Sequence, residues 1–442
     1  MAASVYDSSL YRDLFGDADV GRLFSDTAEV RAMMLVEGAL AKVQGKLGII
    51  PELSAQAIHR ASLEIQIDPG ALAAETGTSA VAVPALVKAF RKEMQSPDHA
   101  QYIHWGATSQ DIIDTGLVLR LRQVLTIFEV RLRAVLRDLG QLSDTHADLV
   151  MAGRTWGQVA TPTTFGAVTA GWGRPLLRLQ GKMPALRSDL LNVSLAGAAG
   201  TLSTMGTKGP DVRKALAQAL DLSDPGGSWH SARDGITGFA AWMTQVTVCL
   251  AKMGEDLIFL SRSHMPEVSI GLSGGSSTMP QKQNPVMPNV LVAIANHVVA
   301  LNSAVQGAAI HREQRDGAAW MTEWMSLPQM CMGLARALTV SDQIVSQLSP
   351  LPDHMAAGLD SGLGLIYAEA LSFALTDHMP RPEAQMKVKE LCKAVMETNT
   401  SFKDLATQEW PEFDLSHAFD QSRQVGQAPA EARSFSEDVK QL

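Results

Sequence analysis

A glycine- and serine-rich stretch, "GLSGGSSTMPQKQNP" at residues 271–285, separates two long apolar segments that are typical of helices. It carries one lysine, Lys282, and ends in Asn284-Pro285, which we predict to be the N-cap and first residue of the following helix. An ammonium group and a helix N-terminus directed at one loop favour the binding of an anion. The three glycines would let the loop open and close, although a simple flexible connector has the same composition.

A second polar stretch, "HWGATSQDIIDT" at residues 104–115, precedes another long apolar segment. Thr108 and Asp111 have the spacing of a capping box, which predicts that a helix begins here. The unpaired N–H groups and partial positive charge of such a terminus suit a carboxylate. From this stretch alone, a helix cap without any ligand is an equally good interpretation.

The third polar stretch is "GRTWGQVATPTTFG" at residues 153–166, where we predict that Pro162 lies in the first turn of the next helix. Its hydrogen-bond donors are Arg154, Thr155, Gln158 and Thr161. Together the three loops predict a site for a small molecule with several negative charges. They contain no Walker-type glycine pattern, no metal-ligand pair and no GxSxG motif.

The composition excludes several other classes of protein. The 442 residues carry a net charge of −9, so no overall positive field favours nucleic acid or an anionic membrane. Three separated cysteines predict neither a disulfide framework nor a metal site. The N-terminal residues lack the pattern of a signal peptide, and we expect no segment to be apolar for long enough to span a bilayer. The sequence therefore predicts a cytoplasmic protein that binds neither nucleic acid nor membrane.

Helical periodicity dominates the chain and must position these loops. Predicted long helices cover residues 115–148, 236–263, 285–309 and 320–348, and another runs from about 162 to about 187. They are apolar on more than one face, which favours packing against neighbouring chains over a monomeric bundle. Strand patterns are scarce, and residues 267–270 are the best candidate.

Proline-containing breaks divide this helical chain. They occur at Ile50-Pro51, at Asp68-Pro69-Gly70 and in "SPLPD" after Leu348. We predict an N-terminal helical domain (1–113), a central helical-bundle domain (114–355) that contains the loop at 271–285, and a small C-terminal helical domain (356–442).

The loop sequence "GGSSTMPQKQNP" resembles the signature loop of the fumarase/aspartase superfamily, usually written GSSxMPxKxNP. The other two loops resemble that superfamily's other active-site regions in the same order, and the resemblance extends from about residue 20 to about residue 435. Within the superfamily, "IHWGATSQDIIDTGLVLRLR", "GRTWGQVATP", "WHSARD" and "WMTEW" are most similar to the bacterial 3-carboxy-cis,cis-muconate cycloisomerases. The resemblance implies an all-α fold whose long helices form a twenty-helix core in a homotetramer, with each active site shared by three subunits.

The resemblance also implies roles for individual residues. Ser276 corresponds to the catalytic serine, a general base in elimination and an acid in the reverse direction, and Lys282 with the loop amides would stabilise its alkoxide. No metal or cofactor is implied. The residues implied to bind a small polycarboxylate substrate, or to orient the loop, are His104, Thr108, Ser109, Arg154, Thr155, Trp156, Gln158, Arg233, Ser277, Met279, Asn284 and Arg315.

Trp156 distinguishes between the activities of the superfamily. Members that release an amine or hydroxide usually carry histidine here as the general acid, and an indole cannot transfer protons usefully near neutral pH. A carboxylate leaving group, with a pKa near ~4, needs no proton when it departs. Trp156 therefore favours a cycloisomerase, in which the substrate's own carboxylate is the nucleophile or the leaving group. The resemblance implies that the reaction is lactonisation of 3-carboxy-cis,cis-muconate in protocatechuate catabolism. A tryptophan that only fills space is compatible with this interpretation.

Two positions depart from the cycloisomerase pattern. Gln281 and Gln283 stand where many of those enzymes have histidine and arginine. The loss of that cation weakens the case for a tricarboxylate, because an unpaired buried carboxylate is costly. The candidates to replace it are His230, Arg233, His311 and Arg312.

Two other functions stay open at this point. One is a lyase that eliminates a weakly basic leaving group such as nitrite, or less readily an amine, from a substituted succinate. The other is a non-catalytic structural relative, against which the intact Ser276, Lys282 and Asn284 argue.

Overall fold

The computed structural model of the protein describes residues 4–271, 274–275 and 278–442. Its α-helices, numbered α1 to α20 in chain order, are Arg12–Phe15, Ala18–Gly21, Asp26–Lys46, Glu52–Glu64, Ala73–Ser79, Val83–Glu93, Pro97–Ala100, Ser109–Thr145, Phe165–Gln180, Met183–Leu190, Gly209–Leu220, Asp234–Leu260, Val286–Ala308, Gly317–Val345, Pro352–Asp360, Ala368–Ala374, Arg381–Thr398, Phe402–Glu409, Gln421–Gln424 and Ala428–Lys440. The short strands β1 to β6 are Val150–Thr155, Gln158–Thr164, Val268–Ser269, Gly274–Gly275, Gln283–Asn284 and Ser349–Pro350. Short 3-10 helices lie at Val5–Asp7, Arg22–Phe24, Pro69–Leu72, Ser203–Lys208, Leu365–Tyr367, Leu375–Asp377 and Ser416–Phe419.

The four long helices predicted from periodicity are confirmed as α8, α12, α13 and α14. Helix α8 begins at Ser109, where the Thr108–Asp111 spacing predicts a start and six residues before the start given by apolar periodicity. The Asp111 side chain accepts a hydrogen bond from the Thr108 N–H (2.9 Å). That contact is half of the predicted capping box. The predicted strand near residue 268 is also confirmed as β3, which pairs with β6.

The helix predicted from about residue 162 to about residue 187 is wrong in its first part. Residues 150–164 form an antiparallel hairpin of β1 and β2, in which Pro162 pairs with Ala152 rather than starting a helix. A proline is tolerated there because each strand of a two-stranded sheet has a free edge. The expected single helix is α9 followed by α10, separated at residues 181–182.

The chain forms two compact units that are discontinuous in sequence. The first comprises Met1–Val130, Gly181–Thr247 and Ala293–Ala337, and the second comprises Arg131–Gln180, Val248–Val292 and Leu338–Leu442. The predicted N-terminal domain lies within the first unit and the predicted C-terminal domain within the second, so the central helices contribute to both. The three-domain division stays a prediction.

Each unit buries apolar side chains of its own. In the first unit, α3, α4 and α6 supply buried residues such as Met33, Leu40, Ile58 and Phe90. In the second, the helices near the C-terminus enclose a separate core that includes Leu371, Val395 and Phe402. This burial of apolar faces is the main source of their stability.

Helix α13 contradicts the expectation that no segment is apolar for long enough to span a bilayer. Its 23 residues have a mean hydropathy of 1.4 in the most apolar window, so by length and composition it is long and apolar enough to cross a membrane. The core helices of large soluble proteins pass the same test. Only 33% of that window is buried within this chain, which leaves much of an apolar helix uncovered.

Candidate active site

In the first unit, the site is organised around Asp111 in the first turn of α8. Its fully buried carboxylate accepts hydrogen bonds from the backbone N–H groups of Thr108 (2.9 Å), Ala196 (2.8 Å) and Gly197 (3.0 Å). His230 Nε2 lies 2.7 Å from Oδ1 of the same carboxyl group, the oxygen that also accepts from Ala196. Asp111 thereby connects the start of α8 with residues 196–197 and with His230, and it holds the residues that precede α8 in place.

Thr108 and Arg315 come together at this helix terminus. Arg315 Nη1 donates to Thr108 Oγ1 at 2.7 Å. The neighbouring Asp316 caps α14 by accepting from the N–H groups of Ala318 and Ala319, and it is held in turn by Arg312. This pairing holds the pKa of Asp316 well below its usual range. The exposed guanidinium of Arg315 is therefore placed beside the N-terminus of α8, where a carboxylate is favoured.

His104 forms a second pair in the same unit. Its Nδ1 lies 2.7 Å from Oε1 of Glu37, a residue of α3 that is 2% exposed. Burial alone would lower the pKa of His104, but the Glu37 carboxylate and its hydrogen bond outweigh burial, so that the pKa is raised. The site therefore has a histidine that favours its charged form.

Arg233 is in a buried ion cluster. Its guanidinium donates to Asp114 at 2.7 Å and to Glu323 at 2.6 Å, and its side chain is 1% exposed. Burial would lower the pKa of Arg233, but the two carboxylates raise it. Trp320 Nε1 also donates to Asp114 (3.1 Å). Four of the five N–H donors of Arg233 are used by Asp114 and Glu323, so in this chain Arg233 joins α8 to α14. Its predicted contact with substrate stays a prediction.

In the second unit, the predicted residues 154–158 occupy the end of the β1–β2 hairpin. Trp156 and Gly157 form its two-residue turn, with φ values of +55° and +76°, and the Trp156 side chain is fully exposed (100%). Thr155 and Gln158 flank the turn and are exposed as well. Positive φ at both turn residues is the geometry that lets two residues connect twisted strands.

Arg154, on the same hairpin, is paired inside the second unit. Its Nη1 lies 2.6 Å from Oε2 of Glu267, and its guanidinium is 5.6 Å from the centre of the Phe259 ring. Both charged side chains are largely buried. Arg154 is thus held by a carboxylate within the chain, unlike its exposed neighbours at the turn.

Within the signature loop, residues 271–285, the described strands β4 and β5 pair antiparallel, Gly274 with Asn284 and Gly275 with Gln283. A side chain at 274 would approach Val286 Cγ2 to 2.5 Å, so a larger residue there would require Val286 to shift. Lys282 and Met279 are exposed, and the Lys282 N–H donates to the Met279 carbonyl (3.0 Å). The predicted residues Ser276 and Ser277 lie outside the described residues.

The predicted cap of α13 is displaced by one residue. The Pro285 carbonyl accepts from the Asn289 N–H (3.3 Å), so Pro285 takes the N-cap position. Asn284 is instead the last residue of β5. The displacement follows because Asn284 is held in the strand pair with Gly274.

Sequence reasoning missed several carboxylates that hold the site residues: Glu37, Asp114, Glu267 and Glu323. A usable signal was present, since acidic residues inside apolar runs such as "MMLVEGALA" are costly to bury without a partner. Across the described part of the chain, no group of three or more His, Cys, Asp or Glu side chains is arranged to hold a metal ion.

Comparison with known proteins shows the family to which the chain belongs. The family described as lyase matches residues 12–300. The chain belongs to the fumarase/aspartase superfamily. It is 35% identical to the 3-carboxy-cis,cis-muconate cycloisomerase of Acinetobacter baylyi over 91% of this chain and 90% of that protein. It is also 28% identical to an N-acetyl-S-(2-succino)cysteine lyase of Enterococcus italicus, over 91% of this chain and 89% of that protein.

The solved structure of another protein has the same fold as this chain. The 3-carboxy-cis,cis-muconate lactonizing enzyme from Pseudomonas putida matches with a TM-score of 0.92 and 32% identity, over 98% of this chain and 99% of that chain. The predicted all-α, fumarase/aspartase-like fold is therefore confirmed, and the protein is an enzyme of this superfamily.

Proposed function

We propose that the enzyme is a 3-carboxy-cis,cis-muconate cycloisomerase that forms a carboxymuconolactone reversibly. The observation that carries the proposal is Trp156, an exposed indole at the position where the superfamily's amine-releasing members use a proton-transferring histidine. The 35% identity to the Acinetobacter baylyi cycloisomerase supports the same substrate.

The charges of the site suit a polycarboxylate. In the first unit, positive charge comes from Arg315, which contacts Thr108 at the N-terminus of α8, from that helix terminus itself, and from His104 four residues before Thr108. In the second unit, Lys282 is exposed directly before strand β5. Fixed positive groups of this kind stabilise the additional negative charge that develops on a carboxylate when the carbon next to it loses a proton.

The proposed reaction needs only one protein group to transfer a proton. In lactonisation, a carboxylate oxygen of the substrate bonds to an alkene carbon, and the alkene electrons move to the neighbouring carbon next to a second carboxylate. Ser276 gives its proton to that carbon, and in the reverse direction it removes the proton as the lactone C–O bond breaks. Lys282 would stabilise the serine alkoxide.

We propose that the enzyme works as a homotetramer in which three subunits contribute to each site. Apolar side chains are exposed on all four long helices: Val130, Val248, Val299 and Met325. These faces, and the uncovered part of α13, suit packing between copies of the chain. Light scattering at micromolar concentration should give the mass of four chains, and a stable monomer would contradict both the assembly and the shared site.

A cytoplasmic location completes the proposal. Cys249, Cys331 and Cys392 are all unpaired. Free thiols of this kind are typical of a reducing compartment.

The direct test is to follow the conjugated-diene absorbance of 3-carboxy-cis,cis-muconate with purified enzyme and no added metal or cofactor. We expect the absorbance to fall, and we expect no fumarate from adenylosuccinate or argininosuccinate. Without a general acid, amine expulsion loses the roughly 10²–10⁴-fold that positioned proton transfer supplies. Efficient amine release by the wild-type enzyme would refute the assignment of Trp156.

One observation favours a second candidate function. Gln281 and Gln283 remove a cation that a third substrate carboxylate would use. A dicarboxylate, such as a succinate carrying nitro or another weakly basic leaving group, needs one fewer cation and also tolerates Trp156. Activity on such a succinate together with inertness toward the muconate would identify this lyase as the function.

A further inference from the structure

Glu37 is a buried acid that no step of the proposed reaction uses. It lies in the apolar part of α3 with 2% of its surface exposed. One carboxylate oxygen, Oε1, contacts His104 Nδ1 at 2.7 Å. The other, Oε2, is buried without a hydrogen-bond partner among the residues that the structure describes. Leaving half of a buried carboxylate unsatisfied costs free energy, so the contact with His104 must offset a real penalty.

Helix α3 supports the same loop at a second point. Gln44, seven residues after Glu37 and therefore on the same face of the helix, donates from Nε2 to the Trp105 carbonyl at 2.7 Å. His104 itself has a positive φ of +64°, which a non-glycine residue adopts only when its surroundings hold it there. Two buried side chains of α3 thus hold the ring of His104 and the carbonyl of the next residue, Trp105.

The second ring nitrogen of His104 is left available. Within the described part of the chain, Nε2 has no hydrogen-bond partner, and it is not among the polar atoms sealed in the core. The side chain is 20% exposed. Because Nδ1 is engaged by a carboxylate, Nε2 is the nitrogen that can donate to a ligand.

The charged groups around His104 come from three helices. Burial alone would lower the pKa of His104, but Glu37 of α3 raises it, Asp111 of α8 adds to the increase, and Arg91 of α6 opposes it. The net direction is upward. Glu37 makes the largest favourable contribution, so the charge state of His104 depends mainly on this one residue.

We infer that Glu37 is a positioning residue that holds His104 as an imidazolium, with Nε2–H directed to bind one carboxylate of the substrate. The inference rests on the proposed function, because it assigns a cation to the carboxylate that Gln281 and Gln283 leave without one. The ligand class is a small tricarboxylate.

Calorimetric titration with tricarballylate, a saturated and unreactive tricarboxylate, tests the inference without turnover. For the wild-type enzyme, we expect binding to weaken as the pH rises through the titration of His104, by up to about tenfold per pH unit. Glu37→Gln should weaken binding at pH 7 by about tenfold or more and move the pH dependence to lower pH, because a neutral amide no longer favours the imidazolium.

Two further variants complete the design. Glu29→Gln removes a half-exposed carboxylate of the same helix, which pairs with Arg120, and should leave the pH dependence unchanged. His104→Gln should abolish that dependence, and it provides the test if Glu37→Gln does not fold. A folded Glu37→Gln enzyme with the wild-type pH dependence would overturn the inference, as would no binding of tricarballylate by the wild type at millimolar concentration.

These outcomes separate the inference from the proposed function. Failure to convert the muconate, with pH-dependent tricarballylate binding as expected, would refute the substrate but keep the role of Glu37. If the enzyme converts the muconate but Glu37→Gln leaves the tricarballylate binding constant unchanged at every pH, the substrate is kept and the role of Glu37 is refuted.

Discussion

Replacing Trp156 by asparagine separates the stability of the chain from its assembly and activity. Trp156 is fully exposed and has φ +55°, so the tryptophan makes little contact in the chain while occupying a backbone region that costs about 1–2 kcal/mol for most residues. Asparagine tolerates this region, and Asn-Gly is the preferred sequence for a turn of this type. Trp156→Asn should therefore leave the free energy of unfolding of a single chain unchanged, or raise it by up to about 1 kcal/mol.

The expected loss appears when copies of the chain associate. A tryptophan that a neighbouring subunit covers buries roughly 150–250 Å², and at about 25 cal/mol/Å² this contributes about 4–6 kcal/mol of gross stabilisation. Even one third of that corresponds to roughly a tenfold to thirtyfold change in the association constant. We expect Trp156→Asn to shift the tetramer equilibrium by at least this factor and to lower turnover of the muconate.

Sedimentation equilibrium across a dilution series measures the association, and the diene assay measures turnover. Trp156→Phe is the matched control, because it keeps an aromatic ring at the same backbone position. Trp156→His should not improve lactonisation, since the departing carboxylate needs no proton. If Trp156→Asn assembles and turns over like the wild type, the role of the hairpin tip in a composite site is refuted.

Three further predictions concern other parts of the site. Ser276→Ala and Lys282→Met should each abolish turnover in the diene assay, with unchanged circular dichroism, because both lie in the polar stretch 271–285 that the sequence predicts to be a loop, and loops contribute little to a packed core. Arg233→Met should lower the free energy of unfolding by about 3–5 kcal/mol in guanidinium titrations, because it leaves two buried carboxylates without their cation; a loss below about 1 kcal/mol would contradict this. Since the pKa of His104 is raised by folding, Glu37 should add stability that is fully present below the unfolded pKa near ~6.5 and is lost as the pH rises through the folded value. The difference in Tm between wild type and Glu37→Gln should therefore be larger at pH 6 than at pH 9, and a constant difference would exclude the linkage.

The helices could be predicted from sequence because their signals are local. Apolar spacing identified α8, α12, α13 and α14, and the Thr108–Asp111 spacing identified the start of α8. The β1–β2 hairpin could not be predicted in this way. Its turn is Trp156-Gly157 rather than a common turn pair, and Pro162 in the second strand imitated a helix start.

The same distinction between local and long-range information applies to the candidate site. The types of residue that bind a polycarboxylate could be read from the three loops, whereas the partners that hold them are distant in sequence. Glu37 and His104 are 67 residues apart, and Arg233 and Asp114 are 119 apart. No periodicity within one helix encodes such pairs, because they depend on which buried faces meet after folding.

The two sets of site residues differ in how firmly the single chain holds them. The His104 ring and the Thr108 backbone are held by hydrogen bonds to the buried carboxylates of Glu37 and Asp111, so this part of the site is set before the substrate arrives. Thr155, Trp156, Gln158 and Lys282 stand exposed at hairpin ends, where little in the chain dictates their rotamers. An enzyme gains rate from such side chains only when their positions are set in advance. The exposure of these residues is therefore a reason, independent of the apolar helix faces, to expect that neighbouring subunits complete the site.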